Sequence, residues 1–158
     1  MIRFSPNPNK AHLVKWREWE QEAFQQAQRQ DKVIMLYLGA FWCDFCQNMD
    51  ETTFSTDEII TLLNAYFVSV RVENAHRPDI DVRYNQNGWP TIVFMTPQGG
   101  HVASVNYLPP DGFASVLVRV HQAYQEPKDA LAQTQRRRRH PRPQVSSSRD
   151  QRFSALSL

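Results

Sequence analysis

The stretch FWCDFC at residues 41–46 contains both cysteines of the 158-residue chain, Cys43 and Cys46. An apolar segment of strand length, VIMLYL at residues 33–38, precedes it, and QNMDE at residues 47–51 can continue as a helix. A Cys-x-x-Cys pair between a strand and a helix is typical of a redox dithiol. Helical spacing places both sulfurs on one face, so they can approach each other and close a disulfide.

The two cysteines are expected to have different roles. Cys43 lies at the predicted helix N-terminus, where unpaired N–H groups and the positive end of the dipole favour a thiolate, the nucleophilic form. Cys46 lies one turn further on and is expected to act as the resolving thiol.

Two other uses of the cysteine pair stay open. Both thiols could be buried apolar side chains, or they could bind a metal together with a histidine such as His76. Structural zinc usually takes four protein ligands, and none of the five histidines forms the spacing of a zinc-finger half. We therefore expect no metal and no other cofactor.

Composition limits the class of protein. Apolar residues make up 41% of the chain, which is enough for the core of one domain, and two cysteines cannot form the disulfide framework of a small secreted protein. The first residues contain no apolar stretch of signal-peptide length, and the longest apolar run, residues 33–43, is too short for the roughly 20 residues of a membrane helix. We expect a cytoplasmic protein with no membrane partner.

The basic character of the chain comes from its end. Residues 1–132 contain 11 Lys and Arg against 15 Asp and Glu, whereas residues 133–158 contain seven Arg and one Asp. This end is rich in Arg, Ser, Gln and Pro and is predicted to be disordered. The run of four arginines at residues 136–139 could bind nucleic acid or anionic lipid by charge alone. A solvated tail or the remnant of a linker is the preferred interpretation, and no specific nucleic-acid partner is expected.

Three parts are predicted: an irregular arm at residues 1–13, a folded domain at 14–127 and the Arg-rich tail at 128–158. The domain has the predicted order α-β-α-α-β-α-β-β-α. Its first helix spans residues 15–30, where Trp16 and Trp19 lie at helical spacing. The last two strands form a hairpin around TPQGG at residues 96–100. The fold class is α/β, with a central mixed sheet of about four to five strands flanked by helices.

The Cys-x-x-Cys unit and a later proline together resemble the thioredoxin fold. The resemblance lies in a strand, a turn, Trp42, the cysteine pair and a helix, followed by Trp89-Pro90-Thr91 at the start of a hairpin strand. It implies that Pro90 is a cis-proline facing the dithiol. There it holds the backbone of Trp89 open to a substrate peptide and keeps metal away from the cysteines.

A narrower resemblance covers residues 13–127. This stretch is similar to the thioredoxin-like domain of spermatogenesis-associated-protein-20-like proteins. The matching motifs are residues 16–24, 43–49, Glu51-Thr52-Thr53-Phe54, Arg77-Pro78-Asp79, Arg83-Tyr84 and Gly88-Trp89-Pro90-Thr91. In many members the domain precedes a large helical barrel resembling sugar epimerases. Here the Arg-rich tail begins where a linker is expected, which predicts a standalone or shortened version of the domain.

Three positions are expected to tune the dithiol. Thioredoxin has Gly-Pro between its cysteines, whereas this chain has Asp44-Phe45. A negative charge at Asp44 disfavours the thiolate of Cys43, which makes the dithiol a better reductant. Thioredoxin has a buried Asp six residues before the first cysteine, whereas this chain has Tyr37. Tyr37 and Glu73 are therefore candidate proton acceptors for Cys46.

The predicted function is a thiol–disulfide oxidoreductase that reduces protein or peptide disulfides as a monomer, with electrons from an unidentified donor. Trp42, Phe45 and Trp89 are expected to form an apolar rim around the sulfur of Cys43 that suits extended peptides, whereas Phe41 is expected in the core. The alternatives are a redox-inactive binding module that uses the same rim and a metal-binding domain that uses the cysteine pair.

Overall fold

The computed structural model describes residues 1–139, and residues 140–158 of the predicted tail lie outside the described residues. The chain divides into two units, of which the first is Met1–Gln125 and the second begins at Glu126. The first contains the whole sheet and both cysteines. In the second, residues 126–139 are helical, although the sequence predicted disorder from residue 128. Within the described part of the chain, no helix is both long and apolar enough to cross a membrane.

Residues 1–139 contain five strands and five α-helices. The strands are β1 (Trp16–Arg17), β2 (Val33–Gly39), β3 (Phe67–Glu73), β4 (Thr91–Met95) and β5 (His101–Val105). The helices are α1 (Gln21–Gln30), α2 (Asp44–Glu51), α3 (Asp57–Tyr66), α4 (Pro78–Tyr84) and α5 (Pro110–Arg139). Short 3-10 helices lie at Ala11–Leu13 and Thr53–Ser55.

The strands form one mixed sheet in the order β1-β3-β2-β4-β5. β2 lies at its centre, parallel to β3 and antiparallel to β4, and β5 completes the predicted hairpin with β4. All seven residues of β2 are buried because helices cover both faces of the sheet. The predicted α/β fold with a mixed sheet is confirmed.

Two apolar layers sandwich the sheet. One contains side chains of β2 and β3 with Ala23 and Ala27 of α1 and Ile80 of α4. The opposite layer contains the rings of Tyr37, Phe54, Phe94 and Phe113 together with apolar residues of α2, α3 and α5. β2 is thereby fixed on both sides, and its C-terminal end leads directly to the cysteines.

The first predicted helix was wrong at its start. Trp16 and Arg17 form the edge strand β1, parallel to β3, and α1 begins only at Gln21. The helical spacing was misleading because the two tryptophans belong to opposite layers. Trp16 packs edge-on against Phe54 at 5.1 Å, whereas Trp19 packs against Phe24 at 4.9 Å.

Candidate active site

The start of α2 positions both cysteines. After β2 the chain turns, and the backbone N–H of Cys43 donates to the carbonyl of Ala40 at 3.0 Å. Cys43 is the N-cap of α2, and its Sγ accepts a hydrogen bond from the backbone N–H of Cys46 at 3.4 Å. The sulfur thus occupies the place of an ordinary capping oxygen. Both cysteines are free thiols, with exposed fractions of 8% for Cys43 and 5% for Cys46.

The turn before Cys43 is fixed by two side chains. The carboxylate of Glu73 accepts a hydrogen bond from the backbone N–H of Phe41 at 3.1 Å, and the amide of Gln47 donates to the carbonyl of Phe41 at 2.8 Å. The predicted core position of Phe41 was wrong, since its side chain is 51% exposed. With its backbone bound on both sides, Phe41 projects outward, where the guanidinium of Arg3 lies 4.8 Å from its ring centre.

A second loop brings Trp89 and Pro90 to the dithiol. The peptide bond between them is cis, and the carbonyl oxygen of Trp89 lies 3.5 Å from Sγ of Cys43. Asn87 and Gly88 precede them with φ angles of 66° and 100°, a left-handed turn that the asparagine tolerates and the glycine adopts freely. This turn lets the chain double back towards Cys43 before β4 begins.

Asp81 fixes the indole of Trp89. Asp81 lies in α4, and its side chain is almost fully buried. Its Oδ1 accepts hydrogen bonds from Nε1 of Trp89 at 2.8 Å and from Nδ2 of Asn85 at 3.2 Å. The indole also packs edge-on against Trp42 with ring centres 5.4 Å apart. Asp81 was not predicted from the sequence, in which it is one of two aspartates in a short helix, Asp79 and Asp81.

The predicted apolar rim consists of two exposed rings and the half-buried ring of Trp89 around a buried sulfur. Trp42 is 56% and Phe45 is 62% exposed, and they flank Cys43 on either side along the chain. Trp89 packs against Trp42, and Tyr107 packs against Phe45 with ring centres 5.7 Å apart. The structure therefore brings the three predicted rim residues to one surface and adds Tyr107, which sequence analysis missed.

A buried ion pair lies behind the cysteines. Arg71 of β3 binds both carboxylate oxygens of Asp50 in α2, at 2.8 and 2.7 Å. Oδ2 of Asp50 also accepts from the backbone N–H of Ser5 at 2.9 Å. The guanidinium is covered by three aromatic rings, those of Phe4, Trp16 and Tyr37. Sequence analysis missed this pair, although an arginine inside the buried strand FVSVRVE signals the need for a carboxylate partner.

Burial controls the ionisation of the second cysteine. Loss of solvent raises the pKa of Cys46 to about 12, and the neighbouring thiol of Cys43 acts in the same direction. The backbone of Ala40 and the nearby hydroxyl of Tyr37 lower this pKa, because both are polar groups that favour a thiolate. Burial also raises the pKa of Tyr37 well above its usual value of 10, against the attraction of Arg71. Both groups are therefore protonated at neutral pH.

A cavity of about 460 Å³ opens on the side of Cys46 away from the aromatic rim. Residues 1–5 of the N-terminal arm form part of its wall. Cys46, Tyr37, Asp50, Arg71, Glu73 and His76 are among the other lining residues, whereas Cys43 is not. Of the three predicted tuning positions, the structure thus brings Tyr37 and Glu73 to the cavity, while Asp44 lies exposed in the first turn of α2.

The metal-binding alternative needs at least one further ligand beside the two cysteines. Among residues 1–139, no cluster of three or more His, Cys, Asp and Glu side chains could hold a metal ion.

Comparison with known proteins identifies the family. Residues 7–140 match the family Thioredox_DsbH, described as a protein of unknown function, DUF255. The chain belongs to this family. Spermatogenesis-associated protein 20 of Homo sapiens is 35% identical over 138 residues, which cover 78% of this chain and 18% of that protein. The chain therefore spans about a fifth of the length of the curated relatives it matches, and the predicted resemblance to their thioredoxin-like domain is confirmed.

Proteins whose names indicate redox chemistry match a smaller part of the chain or share a lower sequence identity with it. The thiol:disulfide interchange protein DsbD of Yersinia pestis is 35% identical over 81 residues, 49% of this chain and 14% of that protein. A thioredoxin from Thermus thermophilus superposes with a TM-score of 0.61 at 28% identity, covering 68% of this chain and 86% of that one. A DsbH oxidoreductase gives a TM-score of 0.62 at 17% identity, covering 77% and 92%, and shows the fold alone.

Proposed function

We propose that the chain is a thiol–disulfide oxidoreductase that reduces protein disulfides through Cys43 and Cys46. The observation that carries the proposal is the position of Cys43. Its sulfur caps α2, accepts a hydrogen bond from Cys46 and lies 3.5 Å from the Trp89 carbonyl, below exposed aromatic rings. The match to a thiol:disulfide interchange protein, which covers 49% of the chain, supports the same chemistry.

The reaction is two successive thiol–disulfide exchanges. The Cys43 thiolate attacks one sulfur of the substrate disulfide, and the other sulfur leaves as a thiolate. Cys46 then loses its proton and attacks Sγ of Cys43, which releases the second substrate thiolate and leaves a Cys43–Cys46 disulfide. Two electrons thus pass from the dithiol to the substrate. An external thiol reductant, the unidentified electron donor, returns the dithiol to its reduced form.

Substrate peptides are proposed to bind along the rim formed by Trp42, Phe45 and Trp89. Exposed rings beside a buried sulfur fit an extended peptide that reaches the sulfur with one cystine side chain. Trp89 and Pro90 are proposed to orient that peptide through the backbone of Trp89, whose carbonyl oxygen lies 3.5 Å from Sγ of Cys43.

The proposed direction of electron flow is reduction of the substrate. Asp44 places a carboxylate in the first turn of α2, beside Cys43, and a like charge disfavours the thiolate. A less stabilised thiolate makes a dithiol more reducing. Such a reductant needs a reducing compartment, and we propose the cytoplasm.

The test is reduction of a protein disulfide such as that of insulin, with dithiothreitol as the electron source. We expect the wild-type chain to accelerate reduction and both Cys43→Ser and Cys46→Ser to lose the acceleration. In addition, Cys46→Ser should accumulate mixed disulfides on Cys43, which mass spectrometry detects. A wild-type rate equal to that of dithiothreitol alone would defeat the proposal.

The exposed rings also favour a second candidate, a redox-inactive module that binds peptides at the same rim. The double variant Cys43→Ser/Cys46→Ser separates the two functions. A binding module keeps its affinity for a peptide ligand in this variant and shows no disulfide reduction in the wild type.

A further inference from the structure

The hydroxyl of Tyr37 is buried without a hydrogen bond. The side chain is 1% exposed, and its oxygen has no hydrogen-bond partner among residues 1–139. Leaving a buried polar group unpaired costs about 1–3 kcal/mol, and such groups in a native structure call for a functional explanation. The polar group beside it is the thiol of Cys46, on the wall of the same cavity.

The ring of Tyr37 is held in place on all sides. Trp16 and Phe54 pack against it with ring centres at 5.8 and 5.4 Å, and the guanidinium of Arg71 lies 4.5 Å from its centre. Gly39 leaves the space that the ring occupies, because a Cβ there would lie 2.6 Å from Cε1 and 3.0 Å from the hydroxyl oxygen. The hydroxyl is therefore fixed beside Cys46 and cannot turn to another partner.

We propose that Tyr37 donates a hydrogen bond to the sulfur of Cys46 when that sulfur becomes a thiolate in the resolving step. The proposal rests on the proposed function and assigns a catalytic residue to it. Among residues 1–139 the resting hydroxyl has no hydrogen-bond partner, and the bond to the sulfur forms as negative charge develops there. Catalytic hydrogen bonds commonly tighten only during the reaction.

Tyr37 acts as a donor and not as the proton acceptor. Burial keeps its phenol protonated, and the positive charge of Arg71 does not reverse this because Asp50 neutralises it. The proton of Cys46 therefore leaves to solvent through the cavity, on whose wall Glu73 lies. The Cys46 thiolate then attacks Sγ of Cys43, the bond from Cys43 to the substrate sulfur breaks, and the substrate leaves with the electron pair.

The charged and titratable groups around Cys46 come from several elements. Tyr37 belongs to β2, Arg71 and Glu73 belong to β3, and Asp50 and Cys43 belong to α2 and its cap. His76 lies after β3, on the wall of the same cavity. Asp50 and Arg71 neutralise each other, and Cys43 is bonded to substrate sulfur in the resolving step. The Tyr37 hydroxyl is then a neutral donor, fixed beside the sulfur, that stabilises the new thiolate.

The two exchange steps can be timed separately with Ellman's reagent. Stopped-flow absorbance records one thionitrobenzoate released when Cys43 attacks and a second when Cys46 resolves the mixed disulfide. We expect Tyr37→Phe to leave the first phase unchanged and to slow the second about three- to tenfold. Loss of a hydrogen bond to a charged group lowers the fraction of Cys46 present as thiolate by roughly a factor of ten. The remaining thiolate is more basic and therefore more nucleophilic, which offsets part of this loss.

Two further variants make the result specific. Gly39→Ala pushes the Tyr37 ring without removing its hydroxyl and should also slow the second phase. Ser69→Ala is the matched control. The Ser69 hydroxyl is also buried without a hydrogen-bond partner among residues 1–139, but it does not line the cavity. Both phases should therefore keep their rates in this variant. Circular dichroism shows that each variant is folded.

The pH profile tests whether the second phase proceeds through the Cys46 thiolate, and the Ser69→Ala control separates loss of the donor from a packing defect. Between pH 6 and 9 the second-phase rate should rise with pH in both proteins, and it should be lower in Tyr37→Phe at each pH. A folded Tyr37→Phe with an unchanged second phase, or an equal slowing in Ser69→Ala, would overturn the proposal. Failure of the wild type to reduce insulin would instead overturn the proposed function, since Ellman's reagent reports on any reactive dithiol.

Discussion

Asp81 and Trp89 are joined by a hydrogen bond in which Nε1 of the indole donates to Oδ1 of the carboxylate at 2.8 Å. The same Trp89 carries the carbonyl oxygen that lies 3.5 Å from Sγ of Cys43. A buried carboxylate in α4 therefore sets the orientation of a residue that touches the reacting sulfur, although Asp81 itself is not in contact with the cysteines.

Removing this carboxylate should impair protein substrates more than small ones. In Asp81→Ala the indole loses a hydrogen bond to a charged group, worth roughly 1.5–3 kcal/mol, and its packing against Trp42 loosens. We expect a higher KM for insulin and little change for a small disulfide such as hydroxyethyl disulfide, because the small substrate needs no peptide-binding rim. Asp81→Asn should restore most of the activity because its amide oxygen can accept from the indole. Equal losses on both substrates would contradict this role.

The buried pair of Asp50 and Arg71 should be a major contributor to stability. Asp50→Asn leaves the arginine buried without a charged partner, for which we expect a loss of about 3–5 kcal/mol in the free energy of unfolding by urea. Asp79→Asn is the matched control, because Asp79 binds Arg77 through the same two-oxygen geometry at the surface. Exposed pairs contribute little, so the control should leave stability unchanged. Similar losses in both variants would contradict the role of burial.

Cys46 should make the reduced protein less stable at alkaline pH. Its pKa is about 12 in the folded chain, against a usual value of 9.0. Between these values the unfolded state has released the proton and the folded state retains it, so stability falls as pH rises. We expect the free energy of unfolding to fall by about 1 kcal/mol more in wild type than in Cys46→Ala between pH 8 and pH 10. Parallel pH profiles for the two reduced proteins would rule out this coupling.

The cysteine spacing and the alternation of strands and helices were sufficient to predict the sheet and the place of the dithiol. These features depend on local pattern, since β2 is apolar throughout and α2 follows it at once. The edge strand β1 was missed because two residues are too few to show a period of two, and the spacing of Trp16 and Trp19 mimicked a helix.

The parts of the site that depend on tertiary contact were not predictable. Asp50 meets Arg71 across 21 residues and Asp81 meets Trp89 from a different element, and no spacing rule connects either pair. Phe41 was placed in the core on hydrophobicity alone, whereas Glu73 and Gln47 bind its backbone so that its ring faces outward. A buried arginine requires a charged or polar partner, but the sequence does not say which residue that is.

The reduction potential should depend on Asp44. This carboxylate lies in the first turn of α2, one residue after Cys43, so it repels the developing thiolate and offsets part of the helix dipole. Asp44→Asn stabilises the thiolate and hence the reduced dithiol. A charge at a helix terminus is worth about 0.3–1 kcal/mol, and 1.4 kcal/mol corresponds to about 30 mV for this two-electron couple. We therefore expect the reduction potential of Asp44→Asn to be less negative than that of the wild type by about 5–20 mV.

A glutathione redox titration measures this potential in both proteins. Asp57→Asn is the matched control, because Asp57 also lies in the first turn of a helix, α3, but has no cysteine beside it. Its replacement should leave the potential unchanged. The wild-type potential should lie nearer to the roughly −270 mV of reducing members of this fold than to the roughly −120 mV of strong oxidants. An unchanged potential in Asp44→Asn would show that the carboxylate does not act on Cys43, and a wild-type value near that of the strong oxidants would reverse the proposed direction of electron flow.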